Sequence, residues 1–124
     1  SETIREITPS THILMVTGIA SPEPMAEHLK SIAGSVTQVT FPDHHSFSSD
    51  DIGKIIAAFD SIVGTDKIIV TTSKDGVRLK EITNIAVHVR QALHYLPISV
   101  QFIENEEEFL NKVYSYARKD YQDH

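Results

Sequence analysis

Asp43-His44-His45 is the densest chemistry in the chain: three titratable side chains in succession, just past an apolar, alternating segment that ends at Phe41-Pro42. Imidazole titrates near neutrality, so it can serve as general acid, general base or metal ligand. A flanking carboxylate can fix its tautomer or raise its basicity. The same trio also suits a plain polar surface loop whose histidines cap backbone groups. Adjacent side chains on extended chain point in opposite directions, so at most one of the two histidines is expected to face a site. A second cluster gathers Thr72, Lys74, Asp75 and Arg78. It reads either as an active-site charge group or as a helix N-terminus, with Asp75 favoured by the dipole and Arg78 on the surface. The other histidines (His12, His28, His88, His94 and His124) are scattered and suggest no common role, and no residue is assigned as a metal ligand.

The elements that must position these residues alternate along the chain. His12 to Thr17 (HILMVT), Val36 to Phe41 (VTQVTF), Lys67 to Thr72 (KIIVTT) and Pro97 to Ile103 (PISVQFI) read as strands. A helix is predicted after Ser21-Pro22, with Ser21 as its cap and Met25, Leu29, Ile32 and Ala33 at helical spacing. Ser48 with Asp51 three residues on resembles a capping box, followed by the stripe Ile52, Ile55, Ile56, Phe59, Ile62 and Val63. A short helix is predicted from about Asp75 and a longer one from Glu81 to Tyr95. A last helix has its apolar face at Phe109, Leu110, Val113, Tyr116 and Ala117. Thr3 to Ile7 alternates, and residues 1–10 read as an extra strand or a linker. Residues 11–118 read as the α/β domain and 119–124 as a frayed tail.

This order predicts a three-layer α/β/α, Rossmann-like domain with a mainly parallel four-stranded sheet, in spatial order 2-1-3-4. Ligands in such sheets sit beyond the carboxyl ends of the strands. That rule selects the loops that carry Gly18, Asp43-His44-His45 and Thr72-Lys74-Asp75.

The chain's 124 residues are one domain's worth, with 40% hydrophobic and 23% charged residues, enough apolar side chain for a core. A net charge of −6 gives no electrostatic footprint for nucleic acid, so no nucleic-acid partner is expected. The absence of cysteine excludes disulfides, thiolate zinc sites and cysteine nucleophiles. No GxxxxGK[ST] phosphate loop, GxGxxG fingerprint or GxSxG elbow is present.

VTGIASPEP (Val16 to Pro24), VTFPDHHSFSSDD (Val39 to Asp51), IIVTTSKDGVRL (Ile68 to Leu79) and LPISVQFIENEEEF (Leu96 to Phe109) resemble, in this order, the C-terminal half of the tetraacyldisaccharide 4'-kinase family. Two departures stand out: Ser21-Pro22 where the family has Asn-Pro, and Thr72-Ser73-Lys74-Asp75 where it has Thr-Glu-Lys-Asp. The resemblance implies transfer of the ATP γ-phosphoryl group to the 4' hydroxyl of a lipid A disaccharide 1-phosphate precursor, at the cytoplasmic face of the bacterial inner membrane. It implies ATP and Mg²⁺ as cofactors, held mainly by an N-terminal phosphate-loop domain outside this chain. Further implied partners are that domain, the lipid precursor and the membrane surface. By itself the fragment is expected to be inactive. A histidine of the DHH segment is implied to work with an aspartate of the N-terminal domain. Carried over, that role falls to His44, with Asp43 and His45 as supports. Gly18, Thr72, Lys74, Asp75 and Arg78 are implied to face the substrate or the partner domain. Two other classes fit parts of the pattern: a DHH-type manganese phosphoesterase, whose further aspartates are missing before Asp43, and a non-catalytic α/β binding module.

Overall fold

HILMVT and KIIVTT each place five consecutive residues out of solvent, which requires cover on both faces of a sheet. The computed structural model describes residues 3–82, 85–96 and 112–117. In chain order its elements are β1 (Thr3–Glu6), β2 (His12–Thr17), α1 (Glu23–Ile32), β3 (Ser35–Thr40), α2 (Ser49–Ser61), β4 (Lys67–Thr72), α3 (Ser73–Lys80), α4 (Val87–Ala92), β5 (Leu93–Leu96) and β6 (Lys112–Ser115).

Because strand side chains alternate, each central strand feeds two cores. Ile13 and Met15 of β2 join Ile68 and Val70 of β4 against Met25, Ala26 and Leu29 of α1. Leu14, Val16 and Ile69 face the other way, onto Ile52, Ile55 and Phe59 of α2, Leu79 of α3 and Val89 of α4. The result is the expected α/β/α layering, with β2 and β4 at its centre.

The sheet departs from expectation in number and direction. Six described strands run in the order β1-β6-β5-β4-β2-β3. The set β3, β2, β4 and β5 is parallel, but β6 pairs antiparallel with both β5 and β1. The predicted neighbours 2-1-3 correspond to β3-β2-β4. The predicted fourth strand, Pro97 to Ile103, lies outside the described residues. The place beside β4 is taken by Leu93–Leu96, of which the sequence reading puts all but Leu96 in a helix. Val89, Leu93 and Leu96 are all buried, and their i, i+4, i+7 spacing imitates a helical face. In fact the chain passes from α4 straight into β5, with no glycine or proline to mark the change.

The predicted last helix fails where it can be seen. Val113 and Ser115 are buried on alternate residues of a strand. There, pairing with the open edge of β5 outweighs the helical spacing of Val113, Tyr116 and Ala117. Thr3 to Glu6 is a strand of the same sheet. The predicted cap of the first helix shifts by one residue: Pro22 is the cap, without a side-chain hydrogen bond, and its carbonyl accepts from the Ala26 amide at 3.0 Å.

Candidate functional site

The parallel strands β2, β3 and β4 end together, so the turns that follow them converge on one edge. These turns hold Gly18, Asp43-His44-His45 and Thr72-Lys74-Asp75.

The first turn meets the third through a buried carboxylate. Thr72 caps α3, its hydroxyl accepting from the Asp75 amide at 3.1 Å. The Asp75 side chain is fully buried. Its Oδ2 accepts from the Gly18 amide at 2.8 Å and from the Thr72 hydroxyl at 3.0 Å. The Gly18 site has no room to spare: a Cβ there would stand 3.2 Å from the Pro42 carbonyl oxygen, 3.5 Å from Asp75 Oδ1 and 3.6 Å from the His45 Cβ. A side chain here would require the Pro42 carbonyl to give by a few tenths of an ångström.

The middle turn separates its two histidines. Ser48 caps α2 in a capping box with Asp51, as the spacing predicts. Asp51 has a second task that the sequence does not reveal. Its Oδ2 accepts from the Ser48 amide at 2.9 Å and also meets His45 Nε2 at 2.7 Å. The Ser48 amide first, and then the His45 ring, hold the Asp51 carboxyl down at about 2. An ionised carboxylate only accepts, so His45 Nε2 carries the hydrogen of that bond. The His45 ring also stacks on Phe41 at 4.8 Å and meets Phe47 edge-on at 5.5 Å. His45 is therefore anchored by its ring.

His44 is displayed. Its backbone is left-handed, with φ of 63°, a conformation uncommon outside glycine, although histidine is among the residues enriched there. Its side chain is 79% exposed, with Nε2 3.6 Å from Asp43 Oδ2. Asp43 Oδ1 lies 3.8 Å from Lys74 Nζ. Arg78 Nη1 donates to the His45 carbonyl at 3.3 Å and stands 3.9 Å from Asp75 Oδ1.

All eight residues singled out in the sequence thus lie on one edge. The helix-start reading of the Thr72–Arg78 cluster is what the structure shows, with Asp75 in the first turn of α3, while Arg78 reaches across to the histidine turn. Asp51 is the residue that sequence reasoning misses as a site member. Its capping signature is visible, but its bond to His45 depends on how the turn folds back.

At the crevice between β2 and β4 two backbone amides are already taken by the protein itself. The Gly18 amide is engaged by Asp75, and the Asp75 amide in the first turn of α3 by Thr72, so neither is open to a phosphate. Among the described residues no three His, Asp or Glu side chains converge to hold a metal ion.

The family model for tetraacyldisaccharide-1-P 4'-kinase matches residues 2–117. A tetraacyldisaccharide 4'-kinase of Parabacteroides distasonis is 37% identical over 108 residues, covering 86% of this chain and 29% of that protein. Relatives of the same name from Bacteroides thetaiotaomicron and Phocaeicola vulgatus are 37% and 33% identical. They cover 90% and 94% of this chain, and 30% and 32% of their own lengths. The chain therefore spans about 30% of the length of the curated relatives it matches. No solved structure matches it.

Proposed function

The chain belongs to the tetraacyldisaccharide-1-P 4'-kinase family, and from that premise we propose that it supplies one wall of the active site of an ATP-dependent lipid kinase. The reaction moves the γ-phosphoryl group of ATP to the 4' hydroxyl of a tetraacyldisaccharide 1-phosphate. ATP and Mg²⁺ belong to the part of the protein outside these residues, and the reaction takes place at the cytoplasmic face of the inner membrane. No described helix is long and apolar enough to cross a membrane.

The observation that carries the residue assignment is the contrast between neighbours. His45 is anchored, with its Nε2 hydrogen given to Asp51. His44 projects from a left-handed turn into solvent, beside a carboxylate. Phosphoryl transfer asks little covalent chemistry of a protein beyond positioning and a group to take the hydroxyl proton. His44 is that group, directly or through a residue of the facing domain. Asp43 opposes the positive charge that the imidazole gains, and Lys74 holds Asp43 in place. Gly18, Thr72, Asp75 and Arg78 shape the wall behind them.

The test is an assay of lipid phosphorylation by the full-length natural polypeptide. His44→Ala is expected to lower kcat by about 10²–10⁴-fold, the usual contribution of a general base. His45→Gln, which keeps a donor toward Asp51, is expected to cost less. Turnover of His44→Ala within about threefold of wild type would refute the assignment.

A further inference from the structure

Asp43 and His44 bridge two points that the rest of the molecule holds. The Pro42 carbonyl lies within reach of a Cβ at Gly18, and His45 is held by its ring and by its carbonyl. We infer that the buried Asp75 carboxylate and the Arg78 guanidinium are positioning residues that set the left-handed turn at His44, acting through Gly18 and the His45 carbonyl. This rests on the proposed role of His44.

Four groups meet around one point. Gly18 stands where even a methyl group would touch the Pro42 carbonyl, Asp75 Oδ1 and the His45 Cβ. Asp75 Oδ2 fixes Gly18 by its amide at 2.8 Å. Asp75 Oδ1 is buried and accepts no hydrogen bond among the described residues. Its neighbouring cation is Arg78, at 3.9 Å, and the same Nη1 holds the His45 carbonyl at 3.3 Å. A buried carboxylate with one satisfied and one unsatisfied oxygen is retained at a cost in desolvation. Plain helix capping does not account for that cost, because the Thr72 hydroxyl already caps the Asp75 amide. What Asp75 adds is the tie across the switch point of the sheet, between the turn after β2 and the helix after β4. The crevice where an open α/β sheet usually admits its ligand is filled by the protein's own carboxylate. Chemistry is displaced outward, onto the turn carrying His44.

A histidine presented this way depends on both ends of its turn. A shift of about 1 Å in a reacting group can cost about 100-fold. Loss of the Arg78 or Asp75 contact is therefore read in turnover and not in nucleotide affinity.

The experiment uses the full-length kinase and a double-mutant cycle between position 78 and His44, with kcat, KM for ATP and melting temperature measured for each variant. Arg78→Gln is expected to lower kcat by about 10–100-fold with KM for ATP and melting temperature near wild type. Arg78→Lys is expected to recover part of the loss. In a His44→Ala background, Arg78→Gln is expected to change kcat by less than about twofold, because the group it positions is gone. Asp75→Asn, if it folds, should follow the same pattern. An equal loss from Arg78→Gln in both backgrounds, or no loss in either, overturns the positioning role while leaving His44 intact. A His44→Ala enzyme as active as wild type overturns the role of His44 itself, and the inference with it.

Discussion

Gly76 lies in α3 next to Asp75, and replacing it with alanine sets two effects of opposite sign against each other. Alanine in a helix interior is favoured over glycine by about 1 kcal/mol. At this position, however, the new Cβ would lie 2.5 Å from two Tyr116 ring carbons and closer still to the hydroxyl, so the ring must move. Tyr116 lies 4.9 Å from the Tyr95 ring, has Lys80 Nζ over its face at 5.4 Å, and donates to the Ser73 carbonyl at 3.3 Å. An aromatic pair is worth about 0.5–1.5 kcal/mol, an exposed cation–π contact about 0.5–1, and a neutral hydrogen bond about 0.5–1.5. Moving the ring out of all three contacts outweighs the helix gain, for a net destabilisation of about 0.5–3 kcal/mol. At an m-value of about 2 kcal/mol/M, the urea midpoint of the 124-residue chain falls by about 0.3–1.5 M. Gly53→Ala is the control: it lies on the exposed side of α2 with nothing within 4 Å of the new Cβ, and it should raise the midpoint. In a Tyr116→Ala background the obstacle is gone, and Gly76→Ala should become stabilising. A midpoint that rises for Gly76→Ala with Tyr116 present, or a sign that does not reverse without it, would refute the reasoning.

Acid should destabilise the chain in two steps. His94 is held below its ordinary 6.5, first by burial, so the fold keeps it neutral while the unfolded chain takes up the proton. Stability then falls as pH drops below about 6.5, and His94→Asn should flatten that slope in urea midpoints measured against pH. A slope unchanged by the variant would exclude His94 as its source. Asp51, with its pKa lowered from 3.8 to about 2, contributes stability above pH 4 that is lost between those two values; Asp51→Asn should remove that second step. Gly34→Ala would drive a Cβ into the Pro9 carbonyl oxygen and place it 3.3 Å from that of Thr11. Both obstacles are backbone, so a midpoint loss of at least about 0.5 M is expected, and an unchanged midpoint would contradict the geometry.

The central strands and first two helices were legible because each carries its own periodicity. The five-residue buried runs of β2 and β4 and the α2 stripe need no distant partner to be recognised. The C-terminal part of the sheet was not legible. Leu93 and Leu96 continue the helical spacing of Val89, and only the open edge of β4 makes them a strand. Val113 and Ser115 alternate, but a four-residue strand among residues at helical spacing is too short to announce itself. Both misreadings lie where the partner's edge, and not local preference, decides the conformation.

The site shows the same division at finer scale. Residue types and strand ends brought all eight candidates to one edge, because parallel strands must end together. How the two histidines differ was not in the spacing. Alternation of side chains along extended chain predicts that one faces away, yet the backbone at His44 is left-handed, not extended. The separation comes instead from contacts of very different sequence range: the carboxylate six residues on that takes the His45 ring, and the guanidinium thirty-three residues on that takes its carbonyl. The first of these grows from a capping box, so a local signal for helix initiation also decides which histidine is anchored. The second requires α3 to lie against the turn, and α3 is held there by the bond between Asp75 and an amide fifty-seven residues earlier. A residue that reads locally as ordinary first-turn acid thus joins β2 to β4 at the point where the sheet changes direction. By doing so it occupies the Gly18 amide at that point, while His44 stands exposed on the neighbouring turn.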